Sequence, residues 1–432
     1  MEETRDERIE RLTREFKRLL EEKFPEKGST LERIEELTEE IGKAIEEKIE
    51  DSATKQEGKG YVGRTATCRC GNEARYVRIY EKEVTTLHGL LVIPRAYYHC
   101  SVCKKGFAPL DEVLDLDSCS TSLRVRGKVA RISALTPFGR GANELRELCG
   151  IELSAKTFER VSEHIGRCIG EEVEASEKHV LSGLADIPKL APERLYITVD
   201  GATVPVGKGY RECKVGAVYE AELDSKGEVV AKDIEHVATM GNSEAIGDRV
   251  YAAAFRRGVE QASEVVMVAD GGRWIWKQAR ENFPSCIQIL DFYHATEHLG
   301  EVARTWYGAE SPKAQKWLQE RKVDFLEGRF DRVLKSMRAW KPKDPEQEKI
   351  KRENLGYFIR NRQRMRYDEF RARNLHIGSG IAESTCKCLV QARLKQSGMH
   401  WTELGAESIL QLRRLWLDVP TADFAKYARM AA

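Results

Sequence analysis

The chain has 432 residues, enough for two to four domains, and its 71 basic and 70 acidic residues nearly cancel. The net charge of +1 therefore does not by itself indicate a nucleic-acid partner. No apolar run approaches the length of a membrane span, and the charged N-terminus lacks the apolar core of a signal peptide, which predicts a cytoplasmic protein without a membrane partner. In that reducing compartment, the eleven scattered cysteines favour metal ligation over disulfides.

The N-terminal segment, residues 1–58, is predicted to be helical. Its apolar residues recur at helical spacing in two groups, Leu12, Phe16, Leu19 and Leu20, then Leu31, Ile34, Leu37, Ile41 and Ile45. A helical hairpin that packs on the body of the protein or on a second copy accounts for this pattern. Its many acidic residues argue against a nucleic-acid role. The polar, Gly-rich stretch 52–63 is predicted to be a linker.

The next segment, 59–115, contains two closely spaced cysteine pairs: Cys68 with Cys70, and Cys100 with Cys103. Alternating segments between the pairs, 75–82 and 90–99, are predicted to form a β-hairpin. Four thiolates at the ends of a small sheet suit tetrahedral Zn²⁺, and because no coordination position stays open the zinc would be structural. Gly71 and Gly106 suit the tight turns that such a zinc ribbon needs. The alternative is four buried free thiols.

The segment 116–190 returns to a helical pattern. A turn at Gly150 separates two predicted helices, the second of which begins near Ser154. Helix, short turn and helix is the outline of a DNA-binding helix-turn-helix, although two ordinary packed helices fit equally simply. The basic residues near the exposed face of the second helix are Lys156, Arg160 and Arg167.

The segment 191–305 changes to strands. Its predicted order is three strands, helix, strand, helix and strand, which is the layout of an RNase H-like mixed α/β fold. In that fold the first and fourth strands are adjacent, so Asp200 at the end of the first would face Asp270 at the end of the fourth. Asp291 ends the fifth strand. Ligands and catalytic groups collect at such strand ends.

The segment 306–375 is predicted to be a helical insertion, and 376–432 the C-terminal part of the core. Arginines in the insertion alternate with aromatic residues, namely Tyr357, Phe358, Tyr367 and Phe370. This combination suits phosphate neutralisation and base stacking, and a solvated basic helix face is the alternative. The candidate DNA-binding residues are Arg360, Arg362, Arg364, Arg366, Arg371, Arg373, Lys387, Arg393 and Lys395.

A helix predicted to begin near Ile381 carries Glu383 in its first turn. With Asp200 and Asp270 it would complete a three-carboxylate site. Mg²⁺ prefers oxygen ligands, and two such ions about 4 Å apart serve phosphodiester chemistry. Each carboxylate alone is weak evidence, since a strand that ends in Asp-Gly is most often a plain turn.

Motifs spread over about 68–414 resemble those of the prokaryotic insertion-sequence DDE transposases, in the Kra-type branch with an N-terminal zinc ribbon, distantly akin to Mutator-like transposases. The motifs are YYHCSVCKKGFAPLD, TVDGATV, ADGGRWIW, LDFYHATEHL, MRYDEFRARNLHIGSGIAESTCK and RLKQSGMHW. The resemblance implies an α+β multidomain protein that cleaves and transfers DNA strands with Asp200, Asp270 and Glu383. It also implies two Mg²⁺ or Mn²⁺ ions, with Asp291 and His294 in support.

The implied partners are double-stranded DNA, as element terminal repeats and target, and further copies of the chain, as a dimer or larger. The implied location is the nucleoid. Trp401 in the last motif is either a stacking residue or a core tryptophan. Two alternative functions stay open: a non-catalytic DNA-binding protein derived from a transposase, and an RNase H-like structure-selective nuclease.

Overall fold

The computed structural model describes residues 5–23, 30–116, 119–223 and 229–429. The helices are α1 (Arg5–Lys23), α2 (Leu31–Gln56), α3 (Pro109–Val113), α4 (Leu123–Ser133), α5 (Phe138–Cys149), α6 (Ala155–Leu181), α7 (Ser243–Arg256), α8 (Arg273–Asn282), α9 (Phe292–Tyr307), α10 (Pro312–Leu326), α11 (Phe330–Ala339), α12 (Pro345–Asn361), α13 (Tyr367–Ala372), α14 (Gly380–Thr385), α15 (Ala392–Leu394), α16 (Glu403–Asp418) and α17 (Phe424–Arg429). Within the described ranges, no helix has the length and apolar character needed to cross a bilayer.

The strands form two separate sheets. They are β1 (Thr65–Thr67), β2 (Glu73–Thr85), β3 (Leu90–Cys100), β4 (Gly106–Phe107), β5 (Arg194–Val206), β6 (Gly209–Leu223), β7 (Val229–Thr239), β8 (Glu264–Ala269) and β9 (Ile287–Leu290). The chain divides into two compact units, one made of residues up to 129 with 142–155 and the end of the chain from 428, the other of 130–141 with 156–427.

The first unit contains the antiparallel sheet β1-β2-β3-β4. Its central pair is the predicted hairpin, in which Thr85 pairs with Leu90 at the turn and Ala74 with Cys100 at the far end. Both strands are longer than their alternating segments alone suggested. The predicted linker is wrong at its start, because α2 continues as a helix to Gln56.

The second unit contains a mixed five-stranded sheet in the order β7-β6-β5-β8-β9. Strands β7, β6 and β5 are antiparallel neighbours, whereas β5, β8 and β9 are parallel. The predicted adjacency of the first and fourth strands is confirmed. Strand β8 reads EVVMVA and its last four residues are buried, because helices cover the sheet and apolar side chains can point to either face.

Several helices of the second unit begin where the sequence supplies a capping side chain. Asn242, Ser311, Asp344 and Thr402 each accept a hydrogen bond from a backbone N–H in the first turn of the following helix. The Pro-containing stretch 341–349 is a loop only up to its N-cap residue, Asp344. Asp344 caps α12 and Pro345 takes its first position, where a proline costs no hydrogen bond.

Candidate functional site

Three aspartates lie at one edge of the second sheet, at matching positions on adjacent parallel strands. Asp200 and Asp270 each lie three residues beyond the paired residues Ile197 and Met267, so the strand register brings them to the same level. Asp291 follows β9, and its backbone N–H donates to the carbonyl of Ala269 at 2.8 Å. The parallel register therefore gathers these carboxylates at the level where β8 and β9 end. The prediction that the first strand ends at Asp200 is wrong, because β5 continues to Val206 in its pairing with β6.

Asp200 is held by a donor that the sequence analysis did not identify. The thiol of Cys386 donates to its Oδ2 at 3.2 Å, and the backbone N–H of Gly201 donates to Oδ1 at 2.7 Å. Burial, together with the charge of Asp200, raises the pKa of Cys386. The thiol therefore stays protonated and can keep donating to the carboxylate.

Asp270 has a raised pKa. Burial is the main cause, and the charges of Asp200 and Asp291 add to it. The N–H of Gly272, which donates to Oδ1 of Asp270 at 2.8 Å, and the nearby His294 act in the opposite direction. A divalent cation beside Asp270 would relieve both the desolvation and the repulsion.

Asp291 is the N-cap of α9. Its Oδ1 accepts from the backbone N–H of His294 at 2.6 Å, and its Oδ2 accepts from the backbone N–H of Ser379. Both carboxylate oxygens are thus engaged by main chain, and the side chain is buried. Because Ser379 precedes α14, Asp291 links the start of α9 to the helix that carries Glu383.

Glu383 lies in the first turn of α14 as predicted, but it points towards solvent. Its side chain is 69% exposed and pairs with Lys387 at 2.6 Å. Cys386, three residues further along the chain, is buried and contacts Asp200, whereas Glu383 is not in contact with either aspartate. Among the residues that the structure describes, only the four cysteines 68, 70, 100 and 103 bring three or more candidate ligand atoms within 4.8 Å of one another. The three predicted carboxylates do not form such a group.

Two further side chains pack together on α9 and α12: His298, which the sequence did not indicate, and Tyr357, which was predicted only as one of the base-stacking aromatics. The ring of Tyr357, from α12, stacks on His298 with centroids 3.9 Å apart, and His298 lies 5.2 Å from His294. His298 lies four residues after His294 on α9, a spacing that could have indicated a shared helix face. Tyr357 gave no local signal, because the fold brings it from another helix. His294 itself is 39% exposed and lies 3.4 Å from Glu297.

The aromatic residues of the insertion are not arranged for base stacking, and that prediction is wrong. Tyr357, Phe358, Tyr367 and Phe370 are all buried in the core of the second unit. Trp401 is also a core residue, since its indole N–H donates to the carbonyl of Leu394 at 3.0 Å. Alternation with arginines reflects a helix with one apolar and one basic face.

Arg393 was a candidate for DNA contact, and its burial removes it from any DNA-facing surface. Its guanidinium lies 4.9 Å from the ring of Phe138 and 5.1 Å from that of Trp401, and donates to the carbonyl of Ser133 at 2.8 Å. The cause is a π-helical turn, Cys386–Gln391, which adds a residue to the helical repeat. Arg393 therefore takes the inward place that Ala392 would have filled.

The remaining basic candidates differ in exposure and pairing. Arg364 is half-buried over the ring of Trp276 at 4.4 Å. Those that are exposed but form ion pairs are Arg362 with Asp331, Arg366 with Glu369, Arg373 with Glu264, and Lys387 with Glu383. Arg360, Arg371 and Lys395 are exposed. The basic surface is therefore partly neutralised by the protein's own carboxylates.

The four cysteines of the first unit form a compact cluster. Cys68 and Cys103 have sulfur atoms 3.5 Å apart, and those of Cys70 and Cys100 are 3.7 Å apart. A tetrahedral Zn²⁺ with Zn–S bonds of about 2.3 Å requires sulfur separations of about 3.8 Å, so the cluster fits this ion. The Asn72 side-chain amide lowers the pKa of Cys70 to about 6, which favours the thiolate that binds metal.

The turns beside the four cysteines follow the sequence prediction only in part. Gly71 has a φ of +81°, as a tight turn requires. At the second cysteine pair the left-handed residue is Lys104, with a φ of +59°, and Gly106 does not have a positive φ. Gly106 instead lies against the ring of Tyr97, which a Cβ would strike. His99 is an exposed strand residue outside the cluster.

The predicted helix-turn-helix corresponds to α5, a turn with Gly150 at a φ of +63°, and α6. The basic residues of α6 named above are exposed: Lys156, Arg160 and Arg167. Helix α6 has 27 residues, and the division between the two units falls near its start. The pair is therefore not a compact domain of its own.

No family model matches the chain. The chain is 24% identical, over 351 residues, to a protein of Streptococcus gallolyticus described as "UPF0236 protein in vanSb 3'region", and the match covers 78% of this chain and 72% of the relative. That description states no activity.

Proposed function

We propose that the chain is a DDE-type transposase with an RNase H-like catalytic core, which cleaves and joins DNA at the ends of an insertion sequence. The observation that carries the proposal is the shared register of Asp200, within β5, and Asp270, directly after β8, on adjacent parallel strands. The strand order β7-β6-β5-β8-β9 supports it, as does the Asp291 cap that links this edge to the helix of Glu383.

The carboxylates fit Mg²⁺ or Mn²⁺ by the chemistry of their oxygen donors and by the raised pKa of Asp270. Asp200 and Asp270 would hold the ions, and Glu383 would join them after its side chain leaves Lys387. Divalent ions at this edge would polarise a phosphodiester and favour attack by water or by a DNA 3′-hydroxyl. Cys386 and Gly201 orient Asp200, the N–H of Gly272 orients Asp270, and His294 lies near Asp270.

The partners proposed with this function are double-stranded DNA and further copies of the chain, at the nucleoid. The four-cysteine cluster would hold structural zinc, and the ribbon and the helices after it would recognise element ends. On the second unit, the exposed arginines Arg360 and Arg371, with Lys395, are the candidates for phosphate contacts.

The test is Mg²⁺-dependent nicking of DNA that brackets the gene, compared between the wild type and Asp270→Ala. We expect the variant to lose at least about a hundredfold in rate, because a charge that holds the reacting group is removed. Equal activity in the two proteins would refute the catalytic assignment. Recovery of joined strands separates a transposase from a structure-selective nuclease, and DNA binding without nicking would indicate a non-catalytic relative.

A further inference from the structure

Tyr357 has a buried hydroxyl with no hydrogen-bond partner among the residues that the structure describes. The residue is only 8% exposed. A buried hydroxyl without a partner costs free energy, so such a group in a native structure calls for an explanation. The other buried tyrosine of the insertion, Tyr367, donates its hydroxyl to the carbonyl of Leu290 at 3.0 Å. The two tyrosines therefore differ in whether the protein itself satisfies the hydroxyl.

The hydroxyl end of Tyr357 lies against the turn that carries Asp270. A Cβ built on Gly271 would be 2.7 Å from the Tyr357 hydroxyl oxygen, so glycine at 271 permits this close approach. Gly271 does not have a positive φ, so backbone conformation does not explain the glycine.

The ring is fixed by its neighbours. It stacks on His298, whose Nδ1 lies 2.8 Å from the Oδ1 of Asn354, and the Nδ2 of Asn354 donates to Glu301 at 2.9 Å. The Asn354 amide thus orients His298 as a donor through Nδ1. Burial lowers the pKa of His298, so the ring is neutral where it supports Tyr357. These contacts hold the ring of Tyr357 with its hydroxyl towards the turn at Gly271 that follows Asp270.

We propose that the Tyr357 hydroxyl donates a hydrogen bond to a phosphodiester oxygen bound beside Asp270, so that the helical insertion contributes a substrate-contacting residue. The inference rests on the proposed function, since it assigns the missing acceptor to the substrate of that site. A phosphodiester oxygen supplies an acceptor without a proton, which matches a hydroxyl that has nothing to donate to. Helix α12 then completes the site, in addition to carrying basic residues.

The experiment compares Tyr357→Phe with the matched control Tyr367→Phe, since each removes one buried hydroxyl and keeps the ring. In single-turnover nicking of DNA that brackets the gene, at saturating DNA and Mg²⁺, we expect Tyr357→Phe to be at least about tenfold slower than the wild type. Tyr367→Phe should nick at nearly the wild-type rate but melt at a lower temperature, because the buried Leu290 carbonyl loses the hydrogen bond from the Tyr367 hydroxyl. Tyr357→Phe should melt no lower than the wild type.

Wild-type nicking by Tyr357→Phe would overturn the inference and leave the proposed function standing. A melting temperature lowered as much as in Tyr367→Phe would also overturn it, because the hydroxyl would then have a protein partner. If the wild type does not nick at all, the proposed function fails, and the probe becomes bis(p-nitrophenyl) phosphate with Mg²⁺. A rise in melting temperature in the wild type and Tyr367→Phe but not in Tyr357→Phe supports the inference. Equal rises, or none, refute it.

Discussion

At the scale of single residues, Asp200, Asp270 and Asp291 differ in the hydrogen-bond donors that surround their carboxylates. Both carboxylate oxygens of Asp291 accept hydrogen bonds from main-chain N–H groups, and one oxygen of Asp200 accepts from a thiol. Asp270 accepts from one main-chain N–H, and its carboxylate is largely buried. The most desolvated carboxylate without full compensation is therefore Asp270. This is the usual situation of a group that acts on a ligand.

Asp270→Asn should stabilise the metal-free protein at pH 7. Because burial raises the pKa of Asp270, the folded state holds the proton more tightly than the unfolded chain. The carboxyl therefore contributes stability below its ordinary pKa of about 4, and this contribution is lost as pH rises through the raised value. In EDTA we expect the variant to melt above the wild type at pH 7, and the difference to shrink as pH falls towards 4.

Added Mg²⁺ should raise the melting temperature of the wild type but not that of Asp270→Asn. Asp331→Asn is the control, because that carboxylate is 74% exposed and its surface ion pair contributes little. An Asp270→Asn protein that melts below the wild type at pH 7 would show that the charge is compensated in the free protein.

Cys386 should matter through its proton. Cys386→Ala removes the donor to Asp200, whereas Cys386→Ser keeps a hydroxyl that can still donate. We expect the alanine variant to need a higher Mg²⁺ concentration for half-maximal nicking, by about three- to tenfold, and the serine variant to stay near the wild type. Equal loss in both variants would mean that the thiol acts by packing, and equal retention would mean that Asp200 is oriented without it.

The residues of the candidate site fall into two groups: those that the local sequence pattern indicates, and those that only the packing of distant segments brings into place. Asp200, Asp270 and Asp291 could be predicted because each follows an apolar run of a strand, and strand order decides which of these positions meet, although β5 itself continues beyond Asp200. Tyr357 and Cys386 could not be predicted, since their contacts depend on how α12 and the π-helical turn pack on the sheet. Glu383 was placed on the right helix, but the sequence did not show that Lys387 would hold its side chain.

At the scale of elements, the π-helical turn Cys386–Gln391 explains how the C-terminal segment is anchored. The wider turn moves Arg393 to the inward face, where it donates to the carbonyl of Ser133 at the C-terminal end of α4. Arg413 donates to the carbonyls of Ala134 and Cys388. Two guanidinium groups thus satisfy carbonyls at a helix end, where the helix dipole favours positive charge. A strict 3.6-residue period could not reveal this shift in register.

Arg393→Met should destabilise the second unit without acting on DNA directly. The change removes the cap on Ser133 and the contacts with Phe138 and Trp401, at a cost of about 2–4 kcal/mol in the free energy of unfolding. Chemical denaturation measures this loss. Arg371→Met, at an exposed position, should leave the unfolding free energy unchanged and reduce the salt dependence of DNA binding by about one phosphate contact. Unchanged unfolding free energy but a reduced salt dependence of DNA binding in Arg393→Met would instead place Arg393 on the protein surface that contacts DNA.

At the scale of the whole molecule, the chain is built from two units with different sources of stability. The second unit has a large apolar core around a five-stranded sheet. The cluster around the cysteines is much smaller: its buried members are Cys68, Ala74, Ala96, Tyr98 and Cys100. The central hairpin of the first sheet and the adjacency of β5 and β8 in the second could be predicted from the sequence. The grouping of six predicted segments into two units could not, because it depends on packing between distant segments.

The small apolar cluster around the cysteines predicts that the end of the sheet that carries them depends on a bound metal. We expect about one Zn²⁺ per chain by elemental analysis, since four thiolates complete the coordination of one ion. Cys100→Ser should lose most of the zinc and expose the hairpin to proteolysis, because Cys100 is fully buried and a structural zinc contributes free energy of folding directly. Cys119→Ser, outside the cluster, is the matched control and should keep both zinc and resistance. Full zinc content in Cys100→Ser, or unchanged proteolysis after chelation, would show that the ribbon folds on its apolar contacts alone.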